Sequence, residues 1–501
     1  MKNSILYLLF SLITFLSCAQ KRNYIWCFGD SSGIDFNNLN NPVPINTSFD
    51  TRGSCVSIAD SSGQILFYAN TRATLAGNTT LVWNKNNFIM QNGDSIVGRG
   101  WYNELVIISD PGNDSVYYLF SIGVTSIYGV YYSIVDLRQN NGLGEVTLKN
   151  IQLETYKALD CLNAIRHANG RDWWIITRDY ENPGNIFNNM YYLYLVTPSG
   201  VSSAYIQNVG FAKTSGFGKI AFSKDGSKMA FINYKRLVEL YDFDRCSGAI
   251  TLTNTIEAEK NLPPWPAYWS CEFSHNGQRL YISTNSNTTY LLQYDLTASN
   301  IFASKDTLWS LTYPTIAGGA LKRGPDDKIY LSCAYNDGVN FNYPYPDSVY
   351  NMYNMNLGVI NFPNNLGTAC DFQPYSFYLG GKRTYWGLPN NPDYEMGAVS
   401  GSICDSLTGI PDIFQNVSNA ELFVFYHPGW QKAFVNAQNL KGRIYSFVVY
   451  DILSNVIYKK EGKLNSKYFT QDLNTTNYSK GLYIIAFQTE KEKLVKRFVK
   501  D

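Results

Sequence analysis

Histidine is almost absent: the 501 residues contain three, His167, His275 and His427. A histidine-based metal site or a Ser-His-Asp triad is therefore hard to assemble. Charge is also sparse, at 16% of residues with a net of +1, so no global field draws nucleic acid or an anionic membrane. No C-x-x-C pair, P-loop, dinucleotide-binding glycine pattern or EF-hand loop occurs. Nothing in the chain calls for a cofactor. Apolar runs long enough to span a bilayer are missing as well. The longest, Ile5 to Leu16, follows the positive Lys2 and precedes "SCAQ", which is the layout of an export signal. Cleavage after Ala19 gives residues 1–19 as a signal peptide. The alternative is a lipoprotein signal in which Cys18 carries the lipid.

Abundant instead are aromatics (15%, with 39 Tyr) and glycine (38). Tyr and Phe suit pleated strands, and Gly and Asn suit turns. The composition predicts an all-β protein. Eight cysteines follow the signal: Cys27, Cys55, Cys161, Cys246, Cys271, Cys333, Cys370 and Cys404. Disulfides are permitted in an exported protein, but buried free thiols suit the same spacing.

The middle of the chain repeats. "VSIADSSGQILFY", "LVIISDPGNDSVYYLF", "LNAIRHANGRDWWII", "IAFSKDGSKMAFI", "CEFSHNGQRLYIS" and "ALKRGPDDKIYLS" each place a polar turn between two apolar strands. The turns fall at Gly63, Gly112, Gly170, Gly226, Gly277 and Asp327, at a period near fifty residues. A weaker seventh copy, "DFQPYSFYLGGKRTYWG", turns near Gly381. Later halves such as "YYSIVDLRQNNGLGEV" and "ELYDFDRCSGAI" add two more strands per repeat. Four-stranded units at this period predict a β-propeller over residues 20–391, with seven blades, or six as the alternative. Residues 23–50, left over before the first copy, are expected to complete the last blade.

Residues 392–415, rich in turn formers, read as a linker. Beyond them, residues 416–501 hold enough short strands for a small C-terminal β-sandwich. Its last 21 residues, "GLYIIAFQTEKEKLVKRFVKD", read as a hairpin turning at Glu490–Glu492. The acidic residues and apolar interruptions argue against a nucleic-acid tail.

This tail resembles the C-terminal sorting domain of proteins exported by the type 9 secretion system of Bacteroidota. The residues that carry the likeness are Gly481, Leu482, Tyr483 and Ile484, then Lys493, Lys496 and Arg497, with Tyr426 to Gly429 as a partial match to the usual opening. The resemblance implies an address read by the type 9 translocon and its sorting machinery, and a secreted or cell-surface protein. The body, through Trp26–Gly29, Gly33–Phe36 and "WGLPN", resembles surface propellers of the same bacteria, some grouped with gliding motility. That likeness implies no particular ligand.

For chemistry the sequence offers little. His167 and His275 occupy equivalent hairpin turns, which favours a structural role. "YDFDRCSG" and "DPGNDS" read as plain turns before calcium loops. Two loops depart from the repeat, "NLPPWPAYW" and "CAYNDGVNFNYPYPDSVYNMYNMN". They supply candidate ligand-face aromatics Trp265, Trp269, Tyr335, Phe341, Tyr343 and Tyr345 for a glycan or protein partner; core capping is the competing role for these rings. The sequence thus reads as a non-enzymatic binding or adhesion module. The alternative is a secreted carbohydrate-active hydrolase using carboxylates on one propeller face.

Overall fold

The computed structural model describes residues 21–500 except 72–78, 125–128, 182–187, 212–215, 261–265, 286–287, 313–315, 336–348, 403, 406–419, 453–454 and 465–466. It divides into two units, residues 1–407 and 408–501. Among the described residues regular structure is all β, apart from short 3-10 turns.

In the first unit the strands form seven antiparallel sheets, numbered here in chain order. Sheet one holds Ile25–Phe28, Asp30–Asp35 and Val43–Asp50; sheet two holds Cys55–Ala59, Ile65–Thr71 and Thr80–Asn84. Sheet three begins with Leu105–Asp110, and sheet four spans residues 157–208. Sheets five, six and seven begin with Gly218–Phe222, Ala267–Phe273 and Ile316–Arg323, and each has four strands. The expected hairpins open sheets two to seven. Gly63, Gly170, Gly226, Gly277 and Asp327 all take positive φ at their tips, whereas Gly112 does not.

Strands buried on both faces explain why these segments are so apolar. Each sheet shares a core with the next. Phe67 of sheet two, Leu119 of sheet three and Ile175 of sheet four lie in one cluster, and Ile176 of sheet four with Phe231 of sheet five in another. Leu240 meets Leu280 between sheets five and six, and Tyr281 meets Leu331 between six and seven. The series then returns to its start: Trp26 and Phe36 of sheet one pack edge-on to Tyr330 of sheet seven, at 5.6 Å each.

The seventh copy differs from its expected form. Phe372–Tyr378 is the outer strand of sheet seven, and the chain after Gly381 leaves that sheet rather than folding back along it. Residues 25–50 make sheet one by themselves. Among the described residues they share one β-bridge with the later chain, Asp30 to Arg383, reinforced by an ion pair of 3.0 Å and by Ser32 Oγ donating to Arg383 O. The exposed alternation of Phe372–Tyr378, with Pro374 in it, marks an edge strand that has no further partner to seek.

Residues 384–399 then run between the first strands of the sheets. Trp386 N donates to Arg52 O and its carbonyl accepts from Ala320 N. Gly387 is required here, because a Cβ on it would fall 1.9 Å from Gly53 O. Asn390, Asn391 and Tyr394 are buried. The stretch beginning at 392, whose composition reads as linker, is packed chain as far as Val399, whose N–H donates to Ala168 O. Just beyond, Cys404 is joined to Cys246 of sheet five. The other six described cysteines, Cys27, Cys55, Cys161, Cys271, Cys333 and Cys370, are buried free thiols.

The second unit has two sheets. One orders Glu421–His427, Lys432–Gln438 and Phe469–Asn474; the other orders Val456–Lys463, Ile444–Asp451, Gly481–Thr489 and Lys493–Lys500. Leu422, Val435 and Leu473 from the first share a core with Phe447, Ile485 and Phe487 from the second. The terminal hairpin has the expected register, Gln488 opposite Lys493.

The disulfide closes a loop of 158 residues. Replacing Cys246 or Cys404 with Ser should lower stability by about 2–5 kcal/mol, read as the shift of the first unfolding transition in urea. Thiol titration of the denatured, unreduced chain from residue 20 onward should find the six free cysteines and no more.

Candidate functional site

Residues 384–399 and the strand starts around them gather a set of buried polar contacts that link several sheets. Asn390 Nδ2 donates to Leu105 O at 3.1 Å and Leu162 O at 2.7 Å, and its Oδ1 accepts from Lys219 Nζ at 2.8 Å. Asn391 Oδ1 accepts from Ser57 N at 2.9 Å, and its carbonyl accepts from Lys322 Nζ at 2.5 Å. Tyr394 Oη donates to Ile107 O at 2.9 Å. Side chains therefore complete the hydrogen bonding of strands that have no neighbour on their inner side, where an unpaired carbonyl costs about 1–3 kcal/mol.

Toward one end of this segment lies an aromatic cluster. Trp269 stacks on Phe217 at 4.6 Å between ring centroids and meets Tyr102 at 4.4 Å and Trp386 at 5.0 Å. Trp269 is buried, with Tyr385 beside it in the same cluster. Among the candidate ligand-face aromatics, Trp269 is therefore placed in core packing. Tyr335 is half-buried and stacks on Tyr353. Trp265, Phe341, Tyr343 and Tyr345 lie outside the described residues, as does Cys18.

Two buried carboxyls hold the loop that carries Tyr102. Glu104 accepts from the N–H groups of Arg99, Gly100 and Trp101, each at 3.0 Å. Asp160 accepts from Tyr102 N at 3.0 Å and Asn103 N at 2.7 Å. Burial pushes Glu104 up to about 8, with Asp160 nearby adding to it, and burial pushes Asp160 up to about 7. Their oxygens serve the backbone, which is a positioning role. Sequence reasoning missed both, because an isolated Glu and Asp among strands carry no motif.

Toward the other end lies a polar cavity of about 90 Å³, lined by Asn23, Lys219, Glu272, Lys322, Arg323 and Asn391 among others. Burial lowers both lysines, Lys322 to about 8, while Glu272 opposes that trend. At its rim Lys224 pairs with Asp393 at 2.8 Å.

The histidines take separate structural roles. His167 Nε2 meets Cys246 O at 2.8 Å and its Nδ1 accepts from Asn169 N. It approaches the sulfurs of Cys246 and Cys404 within 4.8 Å. Those sulfurs are bonded to each other and both ring nitrogens are engaged, so the trio does not fit a metal ion. His275 pairs with Asp327 at 2.6 Å, and His427 stacks on Trp430. The two acidic turns behave as turns: Asp244 accepts from Cys246 N and Ser247 Oγ, and Asp110 from Gly112 N.

In the second unit, Tyr483 is buried against Phe498 and donates to Ser479 O. Leu482 and Ile484 are half-buried on the opposite face of their strand, and Lys493, Lys496 and Arg497 are exposed. Lys500 is buried, and its Nζ donates to the carbonyls of Thr475 and Tyr478 at 2.6 Å each and Thr476 at 3.3 Å. Glu490 accepts from Arg443 N and Ile444 N, and Glu492 from Lys441 N. The dense charge of the last residues thus serves partly as internal clamps.

Residues 430–501 match the family described as the secretion system C-terminal sorting domain. No curated protein sequence matches the chain. Among solved structures, a putative 6-phosphogluconolactonase from Bacteroides fragilis is 10% identical with a TM-score of 0.42, covering 73% of this chain and 96% of its own. A periplasmic gluconolactonase from Pseudomonas aeruginosa is 9% identical with a TM-score of 0.35, covering 80% and 96%. The β-propeller domain of Swd1 from Myceliophteria thermophila is 10% identical with a TM-score of 0.33, covering 63% and 94%. The sorting domain marks the chain for export to the cell surface or the medium and for contact with the type 9 secretion machinery.

Glu104→Gln should cost about 2–4 kcal/mol in urea denaturation, because an amide N–H₂ then faces backbone N–H donors. The pH dependence has a definite sign. A carboxyl whose folded pKa is raised binds more protons folded than unfolded, so its stabilisation is full below about pH 4 and is lost as pH rises through about 7–8. The midpoint should fall between pH 5 and 8.5, and fall less in the Gln variant. Lys500→Met should destabilise the second unit by about 1–3 kcal/mol while leaving the first unit's transition in place.

Proposed function

We propose that this chain is an exported, non-enzymatic binding protein of a Bacteroidota cell, carried out by the type 9 system and acting at the surface or in the medium. The single observation behind this reading is the match of residues 430–501 to a sorting domain, on a stretch that folds as its own two-sheet unit. We read that unit as a small sandwich. The body is read as a seven-bladed propeller, one blade per sheet, supported by the neighbour-to-neighbour packing that returns from sheet seven to sheet one. Binding of a glycan or protein, in adhesion or gliding, is the activity proposed for the body. The non-enzymatic reading rests on the two carboxyls that hold the loop carrying Tyr102. Glu104 and Asp160 are occupied by backbone N–H groups rather than aimed at an open cleft.

The address is tested by fractionation. The full chain, and a chain ending at 420, should be expressed in a Bacteroidota host with an intact type 9 system and in one lacking the translocon. The full chain should reach the surface or medium only in the first host. The shortened chain should stay in the periplasm in both. Surface delivery of the chain ending at 420 would sink the assignment. Glycan turnover by residues 20–405, abolished by one carboxylate substitution, would overturn the non-enzymatic reading.

A further inference from the structure

The four-stranded sheet of the second unit packs one face on the other sheet and leaves its outer face open. Residues directly opposite in an antiparallel sheet share a face. Tyr483, Ile485 and Phe487 lie in the core with Phe447, so their neighbours in sequence belong to the outer face. The pairing register lays that face out in rows. Lys459, Val448, Ala486 and Val495 form one row, and Val456, Tyr450, Ile484 and Arg497 form the next, followed by Leu482 with Val499. The row on the opposite side of the first is polar: Glu461, Ser446, Gln488 and Lys493. The middle of the strip is close-packed, with Val448 buried and Tyr450, Leu482, Ile484 and Ala486 half-buried. Its margins are open. Val495 is 52% exposed, and at the hairpin that ends the apolar rows Ile452 is 69% and Val456 57% exposed.

Positive charge gathers on this same sheet, which the whole-chain net of +1 conceals. Residues 441–463 and 480–501 hold 11 Lys and Arg against five Asp and Glu, whereas residues 408–440 and 464–479 hold two against three. Residues 20–407 hold 27 against 32. Lys459 stands on one outer strand and Lys493 and Arg497 on the other, so cations flank the apolar strip on both sides. The one acid in these rows, Glu461, is paired with Lys459 at 2.9 Å. A protein interface favours Tyr, Trp and Arg at its centre and disfavours Lys. This strip centres on Val, Ile, Leu and Ala, with one half-buried Tyr and with Lys at its borders. An anionic lipid surface accepts that pattern: the acyl boundary takes the apolar side chains while long cationic ones reach the head groups. We propose that this outer face docks on an anionic lipid surface, with Ile452 and Val456 leading into it and Lys459, Lys493 and Arg497 on head-group phosphates. The inference goes beyond the export reading and holds whether or not residues 430–501 act as an address.

The test is flotation of the purified chain from residue 20 with two kinds of vesicle: phosphatidylcholine alone, and about three parts phosphatidylcholine to one part phosphatidylglycerol. The chain should float with the anionic vesicles and not with the neutral ones. Raising salt from about 0.05 M to about 0.5 M should release it. Lys493→Glu with Arg497→Glu, and separately Ile452→Ser with Val456→Ser, should each weaken binding at least about tenfold. All four side chains are exposed, and the second unfolding transition reports whether their unit stays folded. If the Glu pair loses that transition, Lys493→Gln with Arg497→Gln should still weaken binding about threefold or more. No binding to anionic vesicles, equal binding to neutral ones, or binding that either pair leaves intact would each overturn the proposal. Loss of surface delivery in both pairs, without vesicle binding by the parent chain, would overturn it too and give the face to a protein of the export machinery.

Discussion

Asn390 ties three sheets together at once: its Oδ1 accepts a hydrogen bond from Lys219 of sheet five, and its Nδ2 donates to the carbonyls of Leu105 of sheet three and Leu162 at the start of sheet four's Asn163–Arg166 strand. The constraint it answers is general to sheets arranged around a common centre. Among the described residues, strands such as Leu105–Asp110 and Gly218–Phe222 pair along one side with their own sheet and have no strand of regular pairing on the other. Buried polar groups there must find partners, at a cost of about 1–3 kcal/mol for each that does not. In this chain the partners come from residues 384–399, and the requirement selects their composition. Asn offers both donors and acceptors on a short stem, Pro holds the chain extended without needing an acceptor, and Gly387 allows backbone to pass backbone at Gly53.

The same requirement explains which parts of the molecule were legible in the sequence. The hairpins of sheets two to seven were readable because turn chemistry and strand burial leave separate marks: positive φ at Gly63, Gly170, Gly226, Gly277 and Asp327, and apolar runs on either side. The terminal hairpin was readable for the same reason, through the short charged break between Gly481–Thr489 and Lys493–Lys500. Residues 392–399 were not. A polar, turn-rich stretch has one composition whether it sits in water or lines a polar interior, and only the partners distinguish the two. Tyr394, buried beside Asn390 and Asn391, and Met396, buried in a core cluster, were the residues in that stretch whose type hinted at the interior.

Charge misled in a parallel way. Lys500 sits in a run that reads as solvent-facing, yet its ammonium is buried on three carbonyls, and Glu490 and Glu492 hold the 441–444 backbone rather than face water alone. Long charged side chains have short-range obligations that a composition average cannot register. The aromatics of the loops give the opposite lesson. Trp269 was read as a ligand-face candidate from its setting in an irregular stretch, and its neighbours Phe217, Tyr102 and Trp386 make it part of the packing. Ring-rich segments are enriched at binding faces and in cores alike, so residue type alone does not separate the two.

A division of labour follows from where the closing contacts lie along the chain. The hydrogen bonds of residues 384–399 and the Cys246–Cys404 link all fall within the first unit, before the boundary at 407. The matched sorting segment starts at 430 and has a core of its own in Phe447, Ile485 and Phe487. The disulfide also belongs to an oxidising compartment, which is the one an export address leads to. Its position at the downstream end of the packed segment means that the central contacts are anchored covalently inside the unit they serve. Each unit therefore carries the means of its own stability. The address can change or be lost without uncovering the buried polar groups at the centre of the body, and the body can vary its loops without touching the residues that make the address.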